Sequence, residues 1–447
     1  MSKQHTIYND YSDFLYEPIT LPLFNYGKNT DKRQLSVLSL FSGCGGMDIG
    51  FEGGFICHKK SVPQEKGWIE ESVNENWVLL KKNRFNTIFA NDILPEAIQT
   101  WSNYMRRFDK DCTIYHTESI VDLVKAHKEG ANIFPESVDV VTGGFPCQDF
   151  SVAGKRKGFD SDKGHDGKKY EDDIPSEETR GKLYYWMKQV IEITKPKVFI
   201  AENVKGLVSL GDVRNIIQKD FANADGDGYI VLPPKVLHAG NYGVPETRER
   251  VIFIGIKKNA LNSEIRAALE SDTIPDKYNP YPSPTHDFNV SNDLLLSPVT
   301  CRDVLADLKE PNESYDLTHC FYSKAKYMGK HCQGQSEINY DGLGPTIRSE
   351  HHGNIEFRRL SAEHGGKNIE ELEAGKQERR LTPRECALIQ TFPPDYPFIK
   401  FKGYTRRFEV NQSGAYKVIG NAVPPVLAYN IAKRLEELWP LYFGENE

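Results

Sequence analysis

Apolar residues in this chain fall into short, nearly unbroken runs separated by helical patterns. The run VLSLF (37–41) predicts a buried strand, and the SGCGG turn after it leads into MDIGFEGGF, a short and glycine-rich helix. TIFANDI (87–93) predicts a strand before the helix PEAIQTWSNYM. SVDVVTGGF (137–145) predicts a third strand, KVFIAENV (197–204) a fourth after the helix LYYWMKQVIEIT, and RVIFIGIK (250–257) a last one. Apolar strands alternating with helices predict an α/β fold, a mostly parallel sheet covered on both faces.

The pattern also divides the chain. Residues 1–35 are polar and aromatic without a period and read as an N-terminal extension. After about residue 258, Pro, Asn and Ser become frequent (PDKYNPYPSPTHDFNVSND), and no βα alternation can be followed until the 380s, which predicts a domain boundary. Helical spacing returns at Val426–Leu438, with Leu427, Ile431, Leu435 and Leu438 on one face. The expected organisation is a large domain from 36–258 and 415–447 and a small, irregular domain from 259–414. Residues 154–182 are nearly devoid of apolar side chains and read as a long surface loop beside Cys147. The polar insertion at 57–86 has no role that the pattern explains.

Composition narrows the class. The 447 residues carry 56 Lys and Arg against 63 Asp and Glu, a net charge of -7, with 39% hydrophobic and 27% charged residues. This is ordinary globular composition and excludes collagen-like, disordered and membrane-spanning classes. With neither a spanning run nor a signal-peptide core at the N-terminus, the chain is expected in the cytoplasm. Its eight cysteines form no C-x-x-C pair, which favours reduced thiols. His319–Cys320 and His331–Cys332 match no standard zinc spacing, and no metal is expected. Mild acidity argues against nucleic-acid binding through bulk charge, but Arg379 to Arg407 holds seven basic residues against two acidic ones. That stretch is a candidate phosphate-facing strip, or a solvated face.

In a doubly wound sheet, ligands bind at the carboxyl ends of the strands. FSGCGG (41–46) sits at such an end, though it is not the dinucleotide fingerprint and a plain tight turn would also explain it. Asp92, at the next strand end, is placed to bond ribose hydroxyls or to cap the helix at Pro95. Cys147 follows a strand in VVTGGFPCQDFS, where Gly143, Gly144 and Pro146 turn the thiol out at the functional edge; a buried structural cysteine is the alternative. Glu202 ends the neighbouring strand, and an ion-pair or capping role stays open for it. In PETRERVIFIG, alternation puts Arg248 and Arg250 on one face, toward an anion, a carbonyl or solvent. A thiol, an acid and two guanidinium groups fit conjugate addition to carbon 6 of cytosine, with the acid at ring nitrogen 3 and carbon 5 then able to take a methyl group.

The ordered blocks FSGCGGMDIGF, GGFPCQDFS, AENVKGL, PETRERVIFIG, RRLTPRECALIQTFPPDY and VIGNAVPPVLAYNIAKRL resemble the DNA (cytosine-5)-methyltransferase family of prokaryotic restriction-modification systems. The resemblance implies a Rossmann-like large domain binding S-adenosylmethionine through Phe41, Gly43, Cys44, Gly45, Gly46, Asp92, Ile93, Ser119, Asn421 and Val423. It implies Cys147 as nucleophile, Glu202 as its acid partner, Arg248 holding the base and Arg250 supporting the site. DNA contacts would come from Gln148, Ser151, Lys155, Arg348 and Arg384, with 259–378 reading the sequence and Arg384 and Glu385 organising the small domain. Duplex DNA would be the partner of a monomer associated with the nucleoid, paired in function with a restriction endonuclease without required contact. Glu246 stands where the family usually has Gln, and Ser119 where it has an acid. A transfer RNA cytosine methylase, a nucleotide-dependent oxidoreductase and a non-catalytic DNA-binding protein are the alternatives; the long region after the arginine block favours DNA.

Overall fold

The computed structural model describes residues 33–106, 114–146, 183–209, 212–226, 228–288, 293–349, 355–403 and 405–444. Cys147, Gln148, Ser151, Lys155 and the 154–182 stretch lie outside them, as does nearly all of the N-terminal extension.

One eight-stranded sheet organises the chain: β1 (Leu35–Leu40), β2 (Phe85–Asn91), β3 (Tyr115–His116), β4 (Val140–Gly144), β5 (Val198–Val204), β6 (Tyr229–Val231), β7 (Lys235–His238) and β8 (Glu249–Lys257). Their order is β7-β8-β5-β4-β1-β2-β3, with β6 beside β8. The pairs β5/β4, β4/β1, β1/β2 and β2/β3 are parallel, whereas β8 runs antiparallel to β5, β6 and β7. The sheet is therefore mixed and mostly parallel.

Alternate residues supply opposite faces. Val37, Val140, Ile200, Ile252 and Ile254 enter one buried cluster, and Leu38, Val141, Phe199, Val251 and Phe253 the other. Each such side chain contributes about 1.5–3 kcal/mol by leaving water. Helices α3 (Ile120–Lys128), α4 (Leu183–Thr194) and α5 (Val213–Ala222) cover the second face. The first face is covered by α1 (Gly46–Glu52), α2 (Pro95–Met105) and the last helix, α8 (Pro425–Phe443). Between them in chain order lie α6 (Pro383–Ile389) and α7 (Gln412–Asn421).

The glycines of α1 have a packing reason. A Cβ at Gly50 would sit 2.4 Å from Cβ of Ala428 and 2.6 Å from the Pro425 carbonyl, so α8 reaches α1 only because position 50 carries no side chain. Pressed in this way, α8 buries Val426 through Ala432 without interruption, a wider face than its apolar spacing predicts. The first-face cluster continues without a break into Tyr278, Val299, Ile355, Leu381 and Phe398.

The insertion acquires a role. Strands Ile56–His58, Trp77–Leu80 and Ile69–Ser72 form a separate antiparallel sheet. Phe55 and Trp68 pack edge-on against Tyr429 of α8, whose hydroxyl donates to the Lys81 carbonyl. The sheet also holds the chain near residue 300, through Lys60 to Asp303 at 2.7 Å and Asn76 to Asp307 at 3.0 Å. It buttresses the C-terminal helix against the segment that follows the sheet. No helix among the described residues is long and apolar enough to cross a membrane.

Candidate functional site

The loop after β1 is held at both ends. Phe41 adopts φ 53°, an outlier for a bulky residue, and the backbone N–H of Ser42 donates to the Asn91 carbonyl at 2.8 Å. The N–H of Gly43 donates to Asp92 Oδ2 at 3.0 Å, while Asp92 Oδ1 accepts from the N–H of Leu94 at 2.9 Å. Asp92 thus braces the glycine turn and holds Leu94, the residue before α2, whose N-terminus has no side-chain cap. Burial raises its pKa, with the backbone donors opposing. Gly43, at φ 54°, would place a Cβ in open space, Asp92 is only partly buried, and Ile93 is 40% exposed beside it. An open turn with a carboxylate and an exposed apolar side chain at its lip fits the ribose and adenine of S-adenosylmethionine.

Cys44, Gly45 and Gly46 serve the loop from inside. The Cys44 thiol donates to the Val418 carbonyl at 3.3 Å, and a side chain at Gly45 would strike Trp101 at 2.7 Å. At Gly46 it would meet the Val423 carbonyl at 2.2 Å, so the GNAVPP block lies directly against this loop. Asn421 is exposed and Val423 buried. Ser119 is used as the N-cap of α3, its hydroxyl accepting from the N–H of Val121, and it lies under the sheet edge at 8% exposure.

A buried carboxylate below the loop escaped the pattern reading. Asp48 accepts from Ser39 Oγ at 2.6 Å and from Trp101 Nε1 at 2.7 Å, and burial pushes its pKa up to about 6. The available signal is an acid inside an otherwise apolar, glycine-rich helix. Such a residue is buried only when it has partners.

The second half of the site forms where β4 and β5 end together. Gly144 pairs with Glu202 in register, and a Cβ at 144 would stand 2.8 Å from Glu202 Oε2; only glycine leaves room for that carboxyl. Asn203 Nδ2 donates to the Phe145 carbonyl at 3.0 Å and so fixes the chain where it leaves β4, two residues before Cys147. Arg250 Nε approaches Glu202 Oε1 at 2.7 Å. Burial raises the Glu202 pKa, and the arginine charges pull against it.

The two arginines differ in environment. Arg248 is wholly buried, donating to the carbonyls of Ile347 at 3.0 Å, Gly420 at 2.9 Å and Ala422 at 2.7 Å. Arg248 was expected to hold the base; its Nη1 and Nη2 bond backbone carbonyls from two distant segments, and the guanidinium paired with Glu202 is that of Arg250. Arg384 is corrected as a DNA contact, since it is buried with Nε on Asp316 at 2.6 Å. The proposed strip from Arg379 fails in the same half. Arg379 bonds Glu385 at 2.8 Å and Glu310 at 2.9 Å, and Arg380 is 1% exposed. A buried guanidinium needs carboxylates or carbonyls, and these three found them inside the protein. Arg348 is partly buried and paired with Glu356 at 2.7 Å.

Glu246 lies wholly buried in the same cluster. Its Oε1 accepts from the N–H of Ile347 at 2.6 Å and faces Arg248 at 3.5 Å, while Oε2 has no hydrogen-bond partner. Burial raises its pKa against the pull of Arg248. The sign follows: stability from its neutral form is present below the ordinary carboxylate range and is lost as pH rises through the raised value. Glu246→Gln is expected to flatten the dependence of the urea midpoint on pH above the ordinary carboxylate range. Parallel profiles for the two proteins would show that Glu246 does not change charge there.

His319, of the His319–Cys320 pair, has both ring nitrogens hydrogen-bonded at 2.8 Å, to Thr382 Oγ1 and the Lys309 carbonyl.

Residues 35–437 match the family described as C-5 cytosine-specific DNA methylase. Type II methyltransferase M.BsuRI of Bacillus subtilis is 32% identical over 434 residues, covering 93% of this chain and 82% of that protein. Type II methyltransferase M.BspRI of Lysinibacillus sphaericus is 30% identical, covering 92% and 84%. The crystal structure of S. pombe Dnmt2 methyltransferase shares the fold at TM-score 0.52 and 17% identity, covering 91% of this chain and 99% of that one. The chain therefore belongs to the C-5 cytosine-specific DNA methylase family and is an S-adenosylmethionine-dependent DNA (cytosine-5)-methyltransferase.

Proposed function

We propose that this enzyme methylates carbon 5 of a cytosine everted from a specific duplex sequence, through a transient bond from Cys147 to carbon 6. The observation that carries the reading is the buried Glu202 carboxyl at the strand end beside the Phe145–Pro146 exit from β4, braced by Arg250. Carbon 6 is shielded from a thiolate while the base is stacked, so the cytosine must leave the helix. S-adenosylmethionine supplies the electrophilic methyl group. Phe41, Gly43, Asp92 and Ile93 hold it, with the Val423 backbone closing the loop from behind.

Glu202 places a proton or hydrogen bond at ring nitrogen 3 as Cys147 adds, which draws charge off the ring and makes carbon 5 nucleophilic. With its pKa raised, the acid form of Glu202 persists to higher pH than that of an ordinary glutamate. Arg250 keeps the carboxyl aimed. Residues 259–414 act as the target-recognition domain around the catalytic domain of 36–258 and 415–447. The protein acts as a monomer in the cytoplasm and protects DNA from a companion endonuclease without binding it.

The test is a duplex carrying 5-fluorocytosine at the target position, found first by bisulfite sequencing of DNA from expressing cells. Fluorine cannot leave as a proton does, so a denaturant-stable protein–DNA complex is expected. No complex with a duplex whose normal counterpart is methylated would overturn the covalent route.

A further inference from the structure

Most arginines of the region after the sheet are already neutralised. Arg302 meets Asp341 at 2.5 Å and Glu370 at 2.9 Å, Arg358 meets Glu371 at 2.5 Å, and Arg359 meets Glu310 at 2.6 Å. With Arg379 and Arg384 similarly engaged, these side chains have little charge left for a polyanion. Two other stretches differ. From Phe321 to Ser336 the chain holds Lys324, Lys326 and Lys330 and no acid, and from Lys400 to Arg407 it holds four cations and no acid. Lys324, Lys326, Lys330, Lys402, Arg406 and Arg407 are all exposed, and among the described residues none has a carboxylate at ion-pair distance.

The two stretches are built as one surface. Buried Arg380 shapes the first from beneath, donating to the carbonyls of Ala325 at 3.0 Å, Lys326 at 3.1 Å and Ile355 at 2.5 Å, and to that of Gly334. The second is a hairpin of Lys400–Phe401 and Phe408–Val410. Phe321, where the first stretch begins, packs edge-on against Phe408 at 4.9 Å and Phe401 at 6.0 Å. The N–H of Ser323 donates to the Tyr416 hydroxyl at 3.2 Å, which ties the same stretch to α7.

We propose that Lys324, Lys326 and Lys330 together with Lys402, Arg406 and Arg407 form one phosphate-binding face that tracks the backbone of duplex DNA. The proposal rests on the reading of DNA as substrate. In a chain of net charge -7, a local cationic face must supply the attraction, and uncompensated cations on a rigid support suit phosphates better than paired ones. Such contacts position the duplex and carry no sequence information. Base readout then falls to other residues.

Two triple variants of the full-length enzyme test this: Lys324→Ala/Lys326→Ala/Lys330→Ala and Lys402→Ala/Arg406→Ala/Arg407→Ala. Each is expected to raise KM for a duplex by about tenfold at 0.15 M salt and to reduce the slope of log affinity against log salt by about one per charge removed. Specific and unrelated duplexes should weaken alike, S-adenosylmethionine affinity should stay within twofold, and the Lys→Arg versions of the first triple should restore the slope. An unchanged KM and salt slope in either triple overturns the shared face, and a loss confined to the target sequence overturns the backbone role. A parental enzyme that methylates no duplex would instead count against the substrate reading.

Discussion

Cys147→Ser is expected to lower methyl transfer by ~10⁴-fold or more while S-adenosylmethionine affinity changes by less than about twofold. The hydroxyl of serine is far less acidic than a thiol and far poorer as a nucleophile toward an electron-poor ring carbon, so the bond to carbon 6 does not form at a useful rate. The cofactor groups sit after β1 and β2, on strands that the substitution does not touch. Tritium transfer from labelled cofactor to DNA, beside an equilibrium binding measurement, separates the two effects. Residual transfer within tenfold of the parent would remove Cys147 from its role. Loss of cofactor affinity in parallel would instead locate the thiol in the binding of the methyl donor.

The second large effect is on stability. Arg248→Ala is expected to destabilise the fold by about 3–5 kcal/mol, because it leaves the buried Ile347, Gly420 and Ala422 carbonyls without their donor. The clamp joins the start of β8 to the segment at 347 and to the GNAVPP turn, and that turn presses the Val423 carbonyl on the cofactor loop at Gly46. Cofactor affinity should therefore fall as well. Arg250→Ala should behave differently, since the ion pair to Glu202 lies at the strand end with side chains 11% and 9% exposed. Its loss should lower kcat and move the pH at which activity declines upward, because burial then raises the Glu202 pKa without the guanidinium opposing it. Urea midpoints and pH–rate profiles of the two variants, compared side by side, decide the assignment. An Arg248→Ala protein as stable as the parent but unable to engage the everted base would restore the base-holding role to Arg248.

The strand and helix pattern on which both results depend was legible in the order of residues. Helices at Pro95–Met105 and Leu183–Thr194 and the strand at Val198–Val204 occupy the spans that their apolar runs mark out, because a strand buried on both faces can only be a continuous apolar run. The positions of Glu202 and Asp92 at strand ends were readable for the same reason: a polar residue closing such a run must lie at the edge of the sheet. Asp48 was not readable as a buried acid, since its two donors come from Ser39 on β1 and Trp101 on α2.

Charge was the least transparent property. Seven cations between Arg379 and Arg407 look like one strip in the linear chain, yet Arg379, Arg380 and Arg384 turn inward to carboxylates and carbonyls, while Lys402, Arg406 and Arg407 stay in water. Local sequence cannot tell these cases apart, because the partners Glu310 and Asp316 and the Ile355 carbonyl lie 25 to 69 residues away. The two arginines of PETRERVIFIG were likewise equivalent by alternation and opposite in environment. Residue order alone determined five strands of the sheet, their ends and the chemical types gathered there, since those follow from local periodicity and turn residues, while the short strands at 115–116, 229–231 and 235–238 carry no such run. Only tertiary structure decided which guanidinium faces the acid and which is spent on carbonyls, because a buried charge is placed by whatever distant groups the fold brings within hydrogen-bond reach.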